Sequence, residues 1–391
     1  MRETAEAVVV GAGVVGASVA WHLARRGCRG VVVVERGARP GEGSTGRATG
    51  GFRAQFGSAV NVGLSLLARE ELTEFPELVG GEPVYDPCGY LFLATGEAAL
   101  AELRAAIRVQ REAGLGESRE VGPGEIRELN PHASTDGVVG GTWCPSDGFV
   151  RPLGVLAGYL DAAGRLGVDL RFGEEVSGFR VEGGEGDRRI AGVITSRGEI
   201  ATRRVVNAAG AWAGEVAALA GAELPVVPER RQVASTRPFD GLPERMPMTI
   251  WADDGFHLRV RDGRVLLLRP RESAGETPFD TRFDRGWLGG LMELARERVP
   301  ALAGAEIDPA ASWCGLYEVS PDRHASLGAS PDVAGLFFAN GSSGHGVMHA
   351  PALGLLLAEL LLDGRATSLD VAPLDPGRFR AGRPSFAPTL L

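Results

Sequence analysis

The apolar positions at the start of the chain predict a strand, a helix and a second strand. Residues 7–10 (AVVV) form an unbroken apolar run, which is typical of a strand buried on both faces. The segment 17–26 (ASVAWHLARR) has apolar residues at helical spacing, and Gly27 stands where a helix-ending glycine is expected. A second apolar run, 31–34, ends at Glu35. This order predicts one β-α-β unit of an α/β fold.

Later segments alternate between helical and strand-like patterns. The spacing of apolar residues predicts helices over 58–79, 97–113, 125–131, 152–167, 284–299 and 346–362. Alternating or continuous apolar runs predict hairpins over 83–94 and 255–270, a strand-rich block over 168–206 and a buried strand over 336–340. The pair Asp262-Gly263 suits the turn of the second hairpin. We therefore expect an α/β region combined with a second region of antiparallel strands.

The glycines between the first strand and the first helix fit a phosphate-binding turn. Gly11 permits the tight turn, Gly13 lets the backbone approach a pyrophosphate, and Gly16 lets helix and strand pack closely. The helix N-terminus adds N–H donors and the positive end of the helix dipole. Glu35 ends the second strand at about the spacing at which dinucleotide folds place a ribose-binding acid. The combination predicts a dinucleotide site.

A glycine-rich loop follows this unit, where a nicotinamide-binding fold would normally continue with another strand and helix. Residues 41–51 (GEGSTGRATGG) contain five glycines and three hydroxyl residues. Such a loop can run beside a long ligand and offer N–H and O–H donors without side-chain clashes. A flexible surface loop is the alternative that this composition leaves open.

Composition removes several classes of function. All 41 basic residues are Arg, which excludes a lysine Schiff base, a lysine general base and a Walker-type phosphate loop. The net charge of −9 and the scattered basic residues argue against nucleic-acid binding. The four cysteines lie far apart without a CxxC pair, so they indicate neither a disulfide framework nor a zinc site.

The chain shows neither a signal-peptide pattern at its start nor a run of roughly 18 apolar residues. We therefore expect no membrane span and a cytoplasmic location.

His345 and His349 have the i, i+4 spacing of a helical metal pair, but no acid motif such as HExxH accompanies them. We predict no metal site.

Several motifs together resemble the D-amino-acid oxidase family of FAD-dependent oxidoreductases, in its sarcosine oxidase, sarcosine dehydrogenase and glycine oxidase branch. They are VVVGAGVVGASVAWHLARRG with VVVVER, GSTGRATGGFR, VVNAAGAW, WCGLYEVSPDRHASLG and LFFANGSSGHGVMHAPALG. The first is shared by many FAD proteins, whereas the last two, in this order near the C-terminus, are much more specific. The resemblance covers nearly the whole chain.

The resemblance implies a two-domain α/β flavoenzyme with a Rossmann-like FAD-binding domain and an antiparallel-sheet (α+β) substrate domain. Residues 1–79, 140–223 and 318–391 would form the first domain, and residues 80–139 and 224–317 the second. The enzyme would oxidise the C–N bond of a small amino acid or N-methyl amino acid. Sarcosine, dimethylglycine, glycine, proline and D-amino acids are the substrate types that the family suggests.

The family's cofactor residues map onto positions in each part of this chain. The implied FAD contacts are Gly11, Gly13, Val15 and Gly16 at the pyrophosphate, Glu35 and Arg36 at the adenosine ribose, Ser44, Thr45, Thr49 and Gly50 along the path to the ring, Val176, Ala208, Gly210 and Trp212 at the adenine half, and Gly344, His345, Gly346, Val347 and Met348 beside the flavin pyrimidine edge. The helix that begins near Gly346 would direct its positive N-terminus at charge on the reduced flavin.

Two positions depart from the family's pattern. Members with covalent flavin carry a cysteine where this chain has Gly315, and Cys314 comes one residue early. We therefore expect Gly315 to lie beside non-covalent FAD. Oxidases of the sarcosine branch carry a Lys where this chain has Met348, so we favour a dehydrogenase that passes electrons to another acceptor.

Four residues are candidates for substrate contacts. Arg53 aligns with the family's carboxylate-binding arginine after the glycine-rich loop, and Tyr317 replaces an Arg of the glycine oxidase branch. His257 and Arg259 alternate with apolar residues along one strand, so both project to one face, which is either the pocket wall or the solvent side. His257 would polarise the carboxylate or accept the amine proton.

Two other functions are compatible with the same motifs. The chain could be a flavin-binding electron-transfer subunit of a larger complex, working with an electron-acceptor protein or partner subunits, or an NAD-dependent dehydrogenase. The behaviour of bound flavin toward small amines separates these possibilities.

Overall fold

The computed structural model describes residues 3–184, 186–270 and 278–384. Their strands are β1 (Glu3–Thr4), β2 (Ala7–Val10), β3 (Val31–Glu35), β4 (Gly51–Phe52), β5 (Tyr85–Asp86), β6 (Tyr90–Ala94), β7 (Arg119–Val121), β8 (Gly140–Cys144), β9 (Gly148–Val150), β10 (Asp169–Phe172), β11 (Val176–Glu182), β12 (Arg189–Thr195), β13 (Gly198–Ala201), β14 (Val205–Asn207), β15 (Val227–Ser235), β16 (Met248–Trp251), β17 (His257–Arg261), β18 (Arg264–Leu268), β19 (Trp313–Val319), β20 (Ser326–Ala329) and β21 (Leu336–Asn340). Their α-helices are α1 (Val14–Arg25), α2 (Ser44–Arg47), α3 (Ala59–Thr73), α4 (Phe75–Leu78), α5 (Glu97–Glu112), α6 (Pro123–Leu129), α7 (Pro152–Arg165), α8 (Ala213–Leu219), α9 (Leu291–Arg298) and α10 (Gly346–Asp363).

A six-stranded sheet carries the first half of the site. Its order is β10-β3-β2-β14-β21-β20, and all neighbours are parallel except β20 and β21. The strands β2 and β3 are almost entirely buried, as their unbroken apolar runs predict. On one face α1 packs against α7 and α10, where their apolar residues form the largest core cluster. The predicted first strand, first helix and second strand are confirmed.

An eight-stranded sheet forms the other large unit. Its order is β19-β15-β18-β17-β16-β6-β8-β7, and every pair is antiparallel except β16 and β6. Helices α6 and α9 lie beside this sheet, and its apolar side chains form a separate core cluster. A four-stranded sheet (β1-β13-β12-β11) and a three-stranded sheet (β4-β9-β5) complete the described architecture. The predicted α/β fold with an antiparallel second part is confirmed.

The two predicted hairpins have different outcomes. Strands β17 and β18 pair around Asp262 and Gly263, both at positive φ, as predicted. The expected hairpin over 83–94 is wrong, because β5 pairs with β9 and β6 pairs with β8 and β16. Both partners of β6 come from later in the chain, and a local alternation of residues cannot reveal them. The domain boundaries stay a prediction, although β8, placed in the first domain, pairs within the eight-stranded sheet.

Among the described residues, one helix, α10, has the length and apolar composition of a membrane span. About 67% of that helix is buried inside the protein. It packs against α1 and α3, which is the environment of a core helix. The cytoplasmic location stays a prediction.

Candidate functional site

A large cavity runs between the six-stranded and eight-stranded sheets. Its volume is about 1240 Å³, which exceeds the roughly 300–1,000 Å³ of most small-molecule sites. The glycine turn after β2, the glycine-rich loop and the segment before α10 all line it. Two glycine clusters within the first 51 residues and a third at residues 341–346 therefore converge on one space.

The N-terminus of α1 faces this cavity through a closely packed turn. Gly11 has φ of +104°, and a Cβ there would lie 2.5 Å from the carbonyl oxygen of Ala208. A Cβ on Gly16 would lie 2.0 Å from the carbonyl oxygen of Gly11, so only glycine fits at both positions. The Val14 N–H donates to Thr45 Oγ1 (3.1 Å), which ties the glycine-rich loop to the helix terminus.

Glu35 is held at the carboxyl end of β3. Its Oε2 accepts from the Ala12 N–H (2.9 Å) and its Oε1 from the Gly37 N–H (2.7 Å). The side chain lines the cavity beside the glycine turn. This is the position expected for an acid that binds a ribose at the end of the second strand.

An aromatic stack borders the same end of the cavity. The Arg36 guanidinium lies 3.8 Å from the ring centre of Trp212. The Trp212 ring also stacks on Phe279, with centroids 5.3 Å apart and planes 15° apart. Such cation–π and ring contacts hold Trp212 against the cavity wall.

The eight-stranded sheet holds the glycine-rich loop by its carbonyl groups. Trp313 Nε1 donates to the Arg47 carbonyl (2.8 Å), Arg261 Nη1 to the Ala48 carbonyl (3.0 Å) and Arg259 Nη1 to the Thr49 carbonyl. Ser44 Oγ donates to the Leu316 carbonyl (2.7 Å). Three consecutive carbonyls of the loop thus accept from side chains of β17 and β19, which fixes the loop between the two sheets.

The segment Gly344–Met348 approaches Tyr317 closely. Gly344 has φ of +98°, and a Cβ there would lie 2.4 Å from the Tyr317 ring. Both residues line the cavity, as do His345, Gly346, Val347 and Met348. Because α10 begins at Gly346, its N-terminus and positive dipole end face this part of the cavity.

Arg53 is a buried cation on the cavity wall. Its side chain is only 3% exposed, and burial lowers its pKa below the ordinary value for arginine. Arg53 Nη1 donates to the Gln55 carbonyl (2.8 Å), and Nη2 donates to His345 Nε2 (3.3 Å). Since a guanidinium can only donate, His345 accepts through an unprotonated nitrogen and is neutral. Burial and the Arg53 charge lower the pKa of His345 well below its ordinary value.

His257 lies on the cavity wall formed by β17. Its Nδ1 donates to the Gly255 carbonyl (2.8 Å), which leaves Nε2 without a proton in the neutral ring. Burial lowers the pKa of His257 to about 4. The imidazole is therefore a hydrogen-bond acceptor at neutral pH. Tyr90 and Tyr317 also line the cavity, and burial raises the pKa of both phenols, so they stay neutral donors.

Comparison with known proteins agrees with this geometry. The family model described as DAO, FAD dependent oxidoreductase, matches residues 6–360. The chain belongs to this FAD-dependent oxidoreductase family. It is 31% identical to FAD-dependent oxidoreductase domain-containing protein 1 of Xenopus laevis, over 98% of this chain and 84% of that protein. It is 30% identical to glycine oxidase of Geobacillus kaustophilus, over 95% of this chain and 97% of that enzyme.

A solved structure is also closely similar. The crystal structure of L-proline dehydrogenase from P. horikoshii superposes with a TM-score of 0.90 at 30% identity, covering 98% of this chain and 100% of that one. The predicted family is therefore confirmed, and so is the coarser statement that this protein is a FAD-dependent oxidoreductase.

The cavity fits the FAD of this family. Gly13 lines the cavity with Thr45 across from it. A Cβ on Gly13 would lie in ordinary contact with Thr45 Oγ1, at 3.6 Å, so the glycine leaves more room there for a pyrophosphate. The lining continues without a break from Glu35 and Trp212, through the glycine-rich loop, to Gly344–Met348. A cavity of this volume and lining suits an extended dinucleotide.

Most of the predicted site residues line this cavity. They are Gly11, Gly13, Val15, Glu35, Arg36, Ser44, Thr45, Thr49, Gly50, Arg53, Val176, Ala208, Gly210, Trp212, His257, Gly315, Tyr317, Gly344, His345, Gly346, Val347 and Met348. Their contacts with FAD or substrate stay predictions.

Two predicted residues lie behind the wall. Gly16 packs against Gly11 and does not border the cavity, so it shapes the turn rather than contacting a ligand. Arg259 donates to the Thr49 carbonyl and lies 3.8 Å from the centre of the Phe149 ring. These contacts tie Arg259 to the glycine-rich loop, and its expected contact with substrate stays a prediction.

Several wall residues were missed by sequence reasoning. Arg231, Phe92, Met248, Ile250 and Glu318 line the cavity, and burial raises the pKa of Glu318. They lie on β6, β15, β16 and β19, whose pairing brings distant segments together. A period-2 pattern identifies such strands but not which of their faces borders a ligand.

The His345–His349 pair has other partners than a metal. Their ring centres are 5.8 Å apart, and His349 Nε2 lies 2.9 Å from Ser65 Oγ. Across the described ranges, no group of three or more His, Cys, Asp or Glu side chains is arranged to hold a metal ion.

Proposed function

We propose that this FAD-dependent oxidoreductase oxidises the C–N bond of a small amino acid or N-methyl amino acid. The observation that carries the proposal is the buried Arg53 guanidinium on the cavity wall, next to His345 and the start of α10. An arginine held on a cavity wall suits a carboxylate, because its charge-assisted hydrogen bonds are strong and its two N–H groups match the two carboxylate oxygens. Similarity to a glycine oxidase and to an L-proline dehydrogenase supports the same substrate class.

FAD, when bound, would accept a hydride from the substrate carbon. The chain's own residues bind and orient the substrate. Arg53 would hold the carboxylate, and His257 would accept a hydrogen bond from the substrate nitrogen through its unprotonated Nε2. The neutral phenol of Tyr317 would donate a hydrogen bond to the substrate. The apolar side chains of Phe92, Met248 and Ile250 would exclude water from the reacting atoms.

We further propose that the flavin is non-covalent and that oxygen is a poor acceptor. Gly315 offers no nucleophile, and Cys314 is 1% exposed with its thiol near the Gly315 carbonyl. Met348 is an apolar, nearly buried side chain where the oxidase branch carries a cation. Acid precipitation should release all flavin into the supernatant, and dye reduction should greatly exceed oxygen consumption.

Anaerobic reduction of bound FAD tests the proposed reaction. Sarcosine, dimethylglycine, glycine, L-proline and D-alanine would each be compared with the amine that lacks its carboxylate, for example L-proline with pyrrolidine. We expect at least one amino acid to bleach the flavin absorbance, and its decarboxylated partner to do so far more slowly. Bleaching by none of them would contradict the proposal and favour an electron-transfer subunit. A purified protein that FAD does not reconstitute would contradict the flavin site itself.

Arg53→Ala supplies the matching variant. Loss of one charge-assisted contact should raise the KM of the reducing amino acid by roughly 10- to 100-fold, while FAD content stays unchanged. Arg108→Ala, on the exposed face of α5, is the control and should leave the KM unchanged. An unaltered KM in Arg53→Ala would reject Arg53 as the carboxylate ligand.

A further inference from the structure

A buried carboxylate lies directly behind Arg53. Asp147 is fully buried in the turn between β8 and β9, and its own carbonyl accepts from the Gly89 N–H (2.7 Å). Its Oδ1 accepts from the Ala54 N–H (2.7 Å), and its Oδ2 accepts from Gln55 Nε2 (3.2 Å). Both carboxylate oxygens therefore bind the two residues that follow Arg53.

Gln55 continues this network. Its Nε2 also donates to the Tyr90 carbonyl (3.1 Å), and its Oε1 accepts from Thr142 Oγ1 (2.8 Å). Gln55 and Thr142 are both buried, so each bond replaces hydration that neither group can recover. The Gln55 carbonyl is also the acceptor of Arg53 Nη1 (2.8 Å). A continuous set of hydrogen bonds thus runs from Asp147, through residues 54 and 55, to the guanidinium.

We propose that Asp147 is a positioning residue that aims Arg53 into the cavity by fixing residues 54 and 55. This inference rests on the proposed role of Arg53 as the carboxylate ligand. Asp147 does not border the cavity itself, so it acts through Arg53 rather than on substrate. A guanidinium must be held within a few tenths of an ångström to bind a carboxylate through two bonds, which the network achieves with backbone and side-chain contacts.

Charge and position predict opposite effects for the same substitution. Removing a negative charge near Arg53 makes the cavity more positive and should tighten the binding of an anion. Removing the acceptor that fixes Gln55 should loosen Arg53 and weaken the binding. We expect the loss of positioning to dominate, because Asp147→Asn places an NH₂ group against the NH₂ group of Gln55. The Gln55 side chain can avoid this contact only by giving up its hydrogen bond to the Tyr90 carbonyl.

The test measures acetate binding to the full-length, FAD-loaded protein by calorimetry at pH 8, where Asp147 is ionised although burial raises its pKa to about 6. Acetate carries the carboxylate without the amine, so the result does not depend on which amino acid is oxidised. We expect Asp147→Asn to weaken acetate binding about tenfold with unchanged FAD content. Asp161→Asn, an exposed position on α7, makes the same chemical change and should have no effect.

A double-mutant cycle separates positioning from general damage. In an Arg53→Ala background, Asp147→Asn should have no further effect on acetate affinity, because the residue it positions is absent. With the reducing amino acid, Asp147→Asn should raise KM more than it lowers kcat. Additive losses in the cycle, or acetate binding that is unchanged or tighter in Asp147→Asn alone, would overturn the proposal.

A second variant covers a failure of Asp147→Asn to fold. Gln55→Met keeps the length of the side chain but removes its bond to Asp147, and it should weaken acetate binding by about threefold or more. Unchanged affinity in Gln55→Met would overturn the inference in that case. If Arg53→Ala itself leaves acetate affinity unchanged, or if the unaltered protein binds no acetate, the proposed carboxylate site fails. Loss in Arg53→Ala without loss in Asp147→Asn defeats only the positioning role.

Discussion

At the scale of single residues, Gly344 offers a direct test of how tightly the cavity wall is packed. A methyl group there would lie 2.4 Å from the Tyr317 ring, and φ is +98°, so Gly344→Ala adds both a clash and backbone strain. We expect Tyr317 to be displaced into the cavity. The variant should lose flavin content and lower the Tm by several degrees, as measured by flavin absorbance and differential scanning fluorimetry.

Gly364→Ala is the control for strain without a clash. Gly364 follows α10 with φ of +76°, and no atom lies within 4 Å of the Cβ it would gain. Its cost should therefore be the left-handed conformation alone, roughly 1 kcal/mol, with normal FAD binding. Equal effects of the two substitutions would show that contact with Tyr317 is unimportant.

At the scale of elements, the eight-stranded sheet should control cofactor affinity through the glycine-rich loop. Arg259 and Arg261 on β17 each donate to one loop carbonyl, Thr49 and Ala48 respectively. Bonds from a charged donor contribute about 1.5–3 kcal/mol. We expect Arg259→Ala and Arg261→Ala each to raise the Kd for FAD by roughly tenfold or more, measured by quenching of flavin fluorescence.

A substitution just beyond the end of β15 provides the comparison. Arg237 is 70% exposed and pairs only loosely with Glu306, at 3.6 Å, so Arg237→Ala should leave the Kd for FAD unchanged. If both Arg259→Ala and Arg261→Ala matched this control, the contacts of the loop with α1 and β19 would be enough to hold it.

The strands and helices differ in how well the sequence predicts them. Unbroken apolar runs and glycine spacing predict β2, α1 and β3 because those signals are local. The hairpin over 83–94 fails because β6 lies in the middle of a sheet whose other strands come from later segments. The alternation along β17 likewise predicts that His257 and Arg259 share a face, but it cannot predict that Arg259 donates to the Thr49 carbonyl of the glycine-rich loop.

The resemblance to a known family identifies Arg53 as a site residue from the sequence, but it does not identify Asp147. The two residues are 94 positions apart in the chain, and their association depends on β4 and β9 pairing beside β6. An isolated Asp-Gly pair in sequence is more typical of a turn than of a buried ligand for backbone N–H groups. Only the assembled sheets show that this carboxylate supports the arginine.

At the scale of the whole molecule, buried histidines should make the fold sensitive to mild acid. Burial lowers the pKa of His349 to about 3 and of His257 to about 4, and it lowers that of His345 as well. In the unfolded chain these groups titrate near pH 6.5. As the pH falls below about 6.5, these histidines therefore become protonated in the unfolded state but stay neutral in the folded state, and the free energy of unfolding decreases.

Two buried carboxyls act in the opposite direction. The pKa of Asp147 is raised to about 6 and that of Glu318 is also raised, so the folded state binds their protons first and gains stability on acidification. Protonation of Asp147 offsets roughly 1 kcal/mol of the histidine penalty between pH 7.5 and pH 5. A single buried histidine such as His349 costs about 2 kcal/mol over the same range. With three histidines against two carboxyls, stability should fall with decreasing pH.

His349→Gln isolates one contribution to this balance. Glutamine can still hydrogen-bond Ser65 but takes up no proton in the unfolded chain, so the variant escapes the acid penalty of His349. In urea unfolding at saturating FAD, the stability of the unaltered protein relative to His349→Gln should fall by about 2 kcal/mol between pH 7.5 and pH 5. His132→Gln, at a half-buried position, controls for the substitution itself. A difference that stays constant with pH would mean that His349 is protonated equally in both states, and the low pKa assigned to His349 would be wrong.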